Sequence, residues 1–194
     1  MKNLKYSVPG QMLLMIKEHA TTSIVFMILF LMTASIRNEF GDLLYGIFGV
    51  LGYFLSIYSL ASTTYKNDNT KISPLAPKPL KGFILPAFLL LFNLLIVIVY
   101  KIAWAYGSNG QSMTQIWSLI LNIISLLWVA PYQPILDMAH GYISLKGYLI
   151  IFVTPILASG LGYFAAYKGF DLNEKMHSIA YEKKKNTSKD KSEF

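Results

Sequence analysis

The sequence predicts an all-α integral membrane protein without a soluble enzymatic domain. Of its 194 residues, 54% are hydrophobic and only 14% are charged, and the mean hydropathy is +0.46. A water-soluble domain of this size exposes a large share of its surface and could not bury so much apolar area. Uncharged runs long enough to cross a bilayer recur along the chain, so lipid is the expected solvent.

Four of these runs are predicted to cross a hydrocarbon core of about 30 Å as helices. They are Ala20 to Ile36, Leu43 to Thr64, Phe83 to Tyr100 and Tyr148 to Tyr167. The first is expected to be retained as a span because no small-residue cleavage site follows it. Before it, Pro9 and the apolar residues of Val8 to Ile16 predict a separate, short interfacial helix. Three prolines between Tyr65 and Lys81 predict an exposed, stiff connection.

The segment between the third and fourth runs has several interpretations. Ile116 to Ala130 is apolar, but Pro131 and Pro134 interrupt the run before it is long enough for an ordinary span. A re-entrant or closely packed helical hairpin over Ile116 to Leu145 is favoured, which gives about four transmembrane helices in all. Six helices, with the hairpin crossing fully, and five helices are the alternatives.

The basic residues favour a topology with both termini in the cytoplasm. If the loops alternate sides and the hairpin enters and leaves on one face, fourteen of the 17 Lys and Arg residues lie inside, in agreement with the positive-inside rule. Residues 1–170 are therefore predicted to form one transmembrane domain. In residues 171–194, Leu172, Met176 and Ile179 lie at helical spacing and predict a cytoplasmic amphipathic helix, followed by a disordered basic tail.

Composition excludes some chemistries and indicates a setting. The chain has no cysteine, which excludes disulfides and thiolate metal sites. Its net charge of +7 is carried by lysines beside apolar runs and in the tail, which favours a bilayer with anionic headgroups over nucleic acid as the partner. Arg37 is the only arginine, and Ile, Asn, Tyr and Phe are frequent. This usage suggests an AT-rich bacterial genome, and hence the inner membrane.

Four polar residues are candidates for contact with a solute or an ion. Asn93 and Asn122 carry the strongest hydrogen-bonding side chains at the predicted membrane depth. Asp137 and His140 share one helical face with Ser144, at i, i+3 and i+7, and a carboxyl group beside an imidazole can bind a cation or relay a proton. Alternatively, the amides tie helices together, and the acid and the imidazole form the polar face of an interfacial helix.

Features expected of an enzyme are missing from the predicted spans. None of the four contains Asp, Glu or His, and the sequence has no catalytic triad pattern, zinc-binding helix motif or phosphate-binding glycine loop. No metal or cofactor is predicted.

Small residues in two spans predict close contacts between helices. In lipid there is little hydrophobic drive between helices, so close backbone approach at small side chains replaces it. The set consists of Gly46, Gly49 and Gly52 in the second span and Ala158, Gly162 and Ala166 in the last. Pro86 and Pro155 lie inside spans, where a proline kinks the helix and frees a carbonyl oxygen. Such an oxygen either coordinates a cation or simply accompanies the kink.

These features favour one functional hypothesis and leave two others open. The first is a non-catalytic bacterial inner-membrane protein that serves as a subunit or accessory factor of a larger complex, or forms a homo-oligomer. The alternative is a small-solute transporter or solute-binding component, with a cavity formed by the hairpin. The third is a membrane enzyme that uses Asp137 and His140 as its acid and base.

Overall fold

The described part of the chain is helical, with four stretches long and apolar enough to span a membrane. The computed structural model describes residues 6–33, 38–71, 73–107, 112–136 and 142–170. Its helices are α1 (Val8–Thr33), α2 (Glu39–Asp68), α3 (Lys81–Ile84), α4 (Ala87–Gly107), α5 (Ser112–Trp128), a 3-10 helix (Ala130–Ile135) and α6 (Leu145–Tyr167). The long stretches are α1, α2, the pair α3–α4 and α6. The predicted all-α class with four such helices is thus confirmed.

The predicted separate entry helix and first span are one continuous helix, which corrects the sequence-based division. Helix α1 runs without interruption from Val8 to Thr33. Lys17, Glu18 and His19 separate the two predicted segments in the sequence. In the structure, Glu18 accepts a hydrogen bond from Ser56 of α2, and His19 is completely buried, so these polar side chains lie along the helix rather than beyond its end.

Helix α2 also extends further than its apolar run. It continues past Thr64 to Asp68, into the segment that was predicted to be exposed. Asp68 is buried, with 2% of its surface accessible, because it bonds to side chains of three other helices. The exposed connection therefore begins only after α2 ends.

Contacts of Asp68 show how the long helices are arranged. Its carboxyl group meets Gln11 near the start of α1, Lys81 at the start of α3 and Tyr163 near the end of α6. The start of α1, the end of α2, the start of α3 and the end of α6 therefore lie together, and the four long stretches alternate in direction. We call this region the Asp68 end of the bundle.

Helix α5 and the 3-10 helix enter the bundle from the opposite end and turn back. Helix α5 follows α4, and its last residue, Trp128, packs against His19, halfway along α1. In the 3-10 helix, Pro131 lies next to Gly49 of α2, and Ile135 lies next to Gly46 of α2. Leu136 finally accepts a hydrogen bond from Ser144, just before α6. The segment thus forms a packed helical hairpin that returns toward the end where α5 began.

The glycines of α2 and α6 lie where other parts of the chain come closest. A methyl group at Gly49 would overlap the carbonyl oxygen of Pro131, and one at Gly162 would overlap the carbonyl oxygen of Tyr58. At Gly46 it would overlap the side chain of Ile135, and at Gly52 it would lie 2.8 Å from the ring of Phe26. Ala158 and Ala166 flank Gly162 and are also buried. These small residues permit contacts within the chain itself.

Candidate functional site

Two prolines free carbonyl oxygens, and a side chain from another helix binds each one. Proline has no N–H for the carbonyl four residues earlier, so Pro86 leaves the carbonyl of Gly82 free and Pro155 leaves that of Ile151 free. The hydroxyl of Ser159 on α6 donates to Gly82, at 2.7 Å. The amide of Asn93 on α4 donates to Ile151, at 3.0 Å. Helices α3–α4 and α6 therefore satisfy each other's freed carbonyls.

Asn93 uses both ends of its amide in helix contacts. Besides the bond to Ile151, its oxygen accepts a hydrogen bond from Nε1 of Trp128, at 2.8 Å. Only 1% of its surface is accessible. Asn93 thereby joins α4 to α5 and α6.

The carbonyl at the end of α5 is held by α1. The last carbonyls of a helix have no partner within it, and that of Trp128 accepts from Nε2 of His19, at 3.0 Å, and from the hydroxyl of Ser23, at 2.9 Å. Because a carbonyl can only accept, Nε2 carries the imidazole proton. The ring of His19 packs edge to face on Tyr53, at 5.1 Å between centroids. Together these residues fix the tip of the hairpin in the middle of the bundle.

We expect Asn93→Leu to lower the free energy of unfolding by about 1–3 kcal/mol, because it leaves Trp128 Nε1 and the Ile151 carbonyl unpaired. Denaturant titration in mixed micelles would measure this. The matched control is Asn122→Leu, because the Asn122 Oδ1 atom has no hydrogen-bond partner in the described ranges. Equal losses in the two variants would contradict the role assigned to Asn93.

Asn122 does not lie next to Asn93. Asn122 lies beside Ala103 and Gly107 in a shallow cavity of about 170 Å³ between α4 and α5. Ala103 is ten residues beyond Asn93, or about 15 Å along the helix. Asp137 and His140 lie outside the described residues. Ser144, which shared their predicted face, caps α6 by accepting a hydrogen bond from the N–H of Gly147, at 3.2 Å.

A charged cluster lies at the Asp68 end, and it was not predicted from the sequence. Asp68 accepts from Lys81 at 2.6 Å, from Tyr163 at 2.7 Å and from Gln11 at 2.8 Å. The side chain of Asp68 is inaccessible, and that of Lys81 is 10% accessible. The ion pair is therefore largely buried and joins α2 to α3, and the bonds from Gln11 and Tyr163 add α1 and α6 to the cluster.

A second carboxyl group lies on an outward-facing groove between α1 and α2. Glu18 is half-buried and accepts a hydrogen bond from Ser56, whose hydroxyl also contacts that of Thr22, at 3.2 Å. The groove has a volume of about 290 Å³, and Ser59 and Thr63 also line it. Glu18 lies about 15 Å along α1 from Val8, near the middle of the bundle.

The chain matches no protein-family model, no curated protein and no solved structure. Its function must therefore be inferred from these clusters. Within the described ranges, no group of three Asp, Glu and His side chains could hold a metal ion. Among these clusters, Glu18 is the acidic residue that lies in an open groove. The sequence does contain a signal for Glu18, because it is an acidic residue two positions before the predicted span that begins at Ala20. The signal was missed because the span was taken to start only after the last charged residue.

Proposed function

We propose that this chain is a non-catalytic subunit or accessory factor of a larger complex in a bacterial inner membrane. Four spans cross the bilayer, both termini are cytoplasmic, and the α5 hairpin enters and leaves from the outer face. Support for this topology comes from the four long apolar stretches and from the concentration of lysines at the Asp68 end and in both terminal segments.

The position of Glu18 carries the proposal. An acidic side chain within a bilayer is costly and is usually paired or directed toward protein. Buried polar groups in the core, such as Asn93, Ser159 and Ser23, bond within the chain. Glu18 also accepts a hydrogen bond from Ser56, but it lies in a groove that opens away from the core and carries a row of hydroxyls from α2. Such a surface fits another polypeptide better than it fits acyl chains.

The partner we propose is a transmembrane helix of another subunit. Charge complementarity requires a lysine, an arginine or another hydrogen-bond donor opposite Glu18, and the hydroxyls of Ser56, Ser59 and Thr63 provide further polar contacts. The groove is open rather than enclosed, which suits a helix better than a small solute. Transport and enzyme hypotheses based on Asp137 and His140 rest on the sequence alone.

Photocross-linking in native membranes would test the partner helix. We expect a photoreactive residue at Ser59 to give one discrete adduct, and we expect Glu18→Leu to reduce its yield at least fivefold because the paired group is lost. Mass spectrometry would establish the composition of the adduct. The matched control is a photoreactive residue at Leu161, which is 46% accessible on α6 and lies outside the groove.

Three results would contradict the proposal. Equal, diffuse labelling from Ser59 and Leu161 would mean that the groove faces lipid. An adduct that is unchanged by Glu18→Leu would remove the carboxyl group from the contact. An adduct of twice the mass of this chain would make the groove an interface between two copies and replace the hetero-subunit version by a homo-oligomer.

A further inference from the structure

An apolar cavity lies at the Asp68 end, between the start of α1 and the proline-rich connection to α3. Its volume is about 460 Å³, within the range of about 300–1,000 Å³ that is common for ligand sites. The lining is almost entirely apolar and includes Val8, Leu75, Leu80 and Ile84. Lys78 and Lys81 are its charged members.

The connection is folded so that it forms one wall of this cavity. Ser73 accepts a hydrogen bond from the N–H of Leu75, at 3.2 Å, which closes a tight turn around Pro74. Pro77 and Pro79 restrict the rest of the segment. Prolines lower the conformational freedom of this wall, so the cavity is formed before any ligand binds.

Its two lysines differ in their charge balance. Lys81 is paired with Asp68, at 2.6 Å, so its charge is compensated. Lys78 is exposed, and no ion pair within the described ranges involves it. An anionic group at the rim would therefore interact with Lys78.

The mouth of the cavity opens onto an apolar surface. Leu80 and Ile84 line the cavity and are 67% and 57% accessible, so an apolar ligand could enter from the side of the bundle. A soluble anion would gain nothing from this lining, whereas a molecule with an acyl chain and an anionic headgroup would use both features. The lysines on this face match the anionic surface of a cytoplasmic leaflet.

We propose that this cavity binds one anionic phospholipid, with an acyl chain among Val8, Leu75 and Ile84 and the headgroup phosphate on Lys78. The site rests on the membrane location proposed above, but it is separate from the Glu18 groove and does not require a partner subunit.

Native mass spectrometry of the full-length protein, released from neutral detergent, would test the site. The probes are phosphatidylglycerol, phosphatidylcholine with the same acyl chains, and water-soluble glycerol phosphate. We expect one phosphatidylglycerol to be retained in preference to the other two. Lys78→Gln should weaken its binding about fivefold, as expected for one lysine at an anionic lipid surface, and Ala76→Trp should abolish it by filling the cavity.

Lys71→Gln is the matched control, because Lys71 is an exposed lysine on the same connection that does not line the cavity. Equal losses from Lys71→Gln and Lys78→Gln would show diffuse electrostatic attraction and overturn the proposal. Equal retention of the two lipids, or equal binding of glycerol phosphate, would also overturn it. Each of these results leaves the Ser59 cross-linking result unaffected, so failure of the lipid site is distinguishable from failure of the partner helix.

Discussion

We expect Asp68→Ala to destabilise the protein by about 3–5 kcal/mol, the usual cost of removing one partner of a buried ion pair. The substitution leaves the ammonium group of Lys81 without its carboxyl partner at 10% accessibility. It also removes the acceptor for Tyr163 and Gln11. Denaturant titration in mixed micelles would measure the free energy of unfolding, and the ends of α1, α3 and α6 should separate first.

A double variant distinguishes the destabilisation caused by an unpaired charge from that caused by lost side-chain packing. Asp68→Leu combined with Lys81→Met removes both charges, and a buried pair can often be replaced by apolar side chains with little loss. We therefore expect the double variant to be more stable than Asp68→Ala. Glu39→Ala is the control for loss of an acid, because Glu39 is exposed in the first turn of α2. If Asp68→Ala cost no more than Glu39→Ala, the buried pair would have no structural role.

The cluster around Asp68 shows why apolar runs predict helices better than they predict helix ends. A window of hydrophobic residues identifies each long helix because lipid or a protein core must cover its surface. The same window stops at the first charge, so Glu18, His19 and Asp68 were all placed outside the spans. Each is accommodated by polar groups on another helix, and these partners are distant in sequence.

Pro155 lies inside α6 as predicted, whereas Pro86 lies at the break between α3 and α4. The groups that bind the two freed carbonyls could not be predicted. Because proline has no N–H, Pro86 and Pro155 each leave one backbone carbonyl oxygen without its helical hydrogen bond. Whether a cation, water or a side chain satisfies that oxygen depends on which helix lies opposite. The reciprocal bonds from Ser159 and Asn93 appear only once α3–α4 and α6 are packed together. For Asn93, the alternative of tying helices together agrees with this geometry, while its proposed contact with a solute remains a prediction.

Gly162→Leu is expected to be the most disruptive change in the packing of α2 against α6. Any Cβ atom at position 162 would overlap the carbonyl oxygen of Tyr58 and lie 2.9 Å from its carbonyl carbon and Cα atom. These are backbone atoms of α2, which cannot rotate away as a side chain can. We therefore expect a loss of at least about 1–3 kcal/mol in the free energy of unfolding, typical of overpacked interiors.

Gly162→Ala and Leu161→Ala make this prediction specific. Gly162→Ala adds only the overlapping methyl group, so it should already destabilise the protein, although less than leucine does. Leu161 is 46% accessible on the same helix, and its truncation should change the free energy of unfolding by less than either substitution at Gly162. If Gly162→Leu retained native stability, α2 and α6 could separate without cost. The close approach at Gly162, flanked by Ala158 and Ala166, would then not be what holds these two helices together.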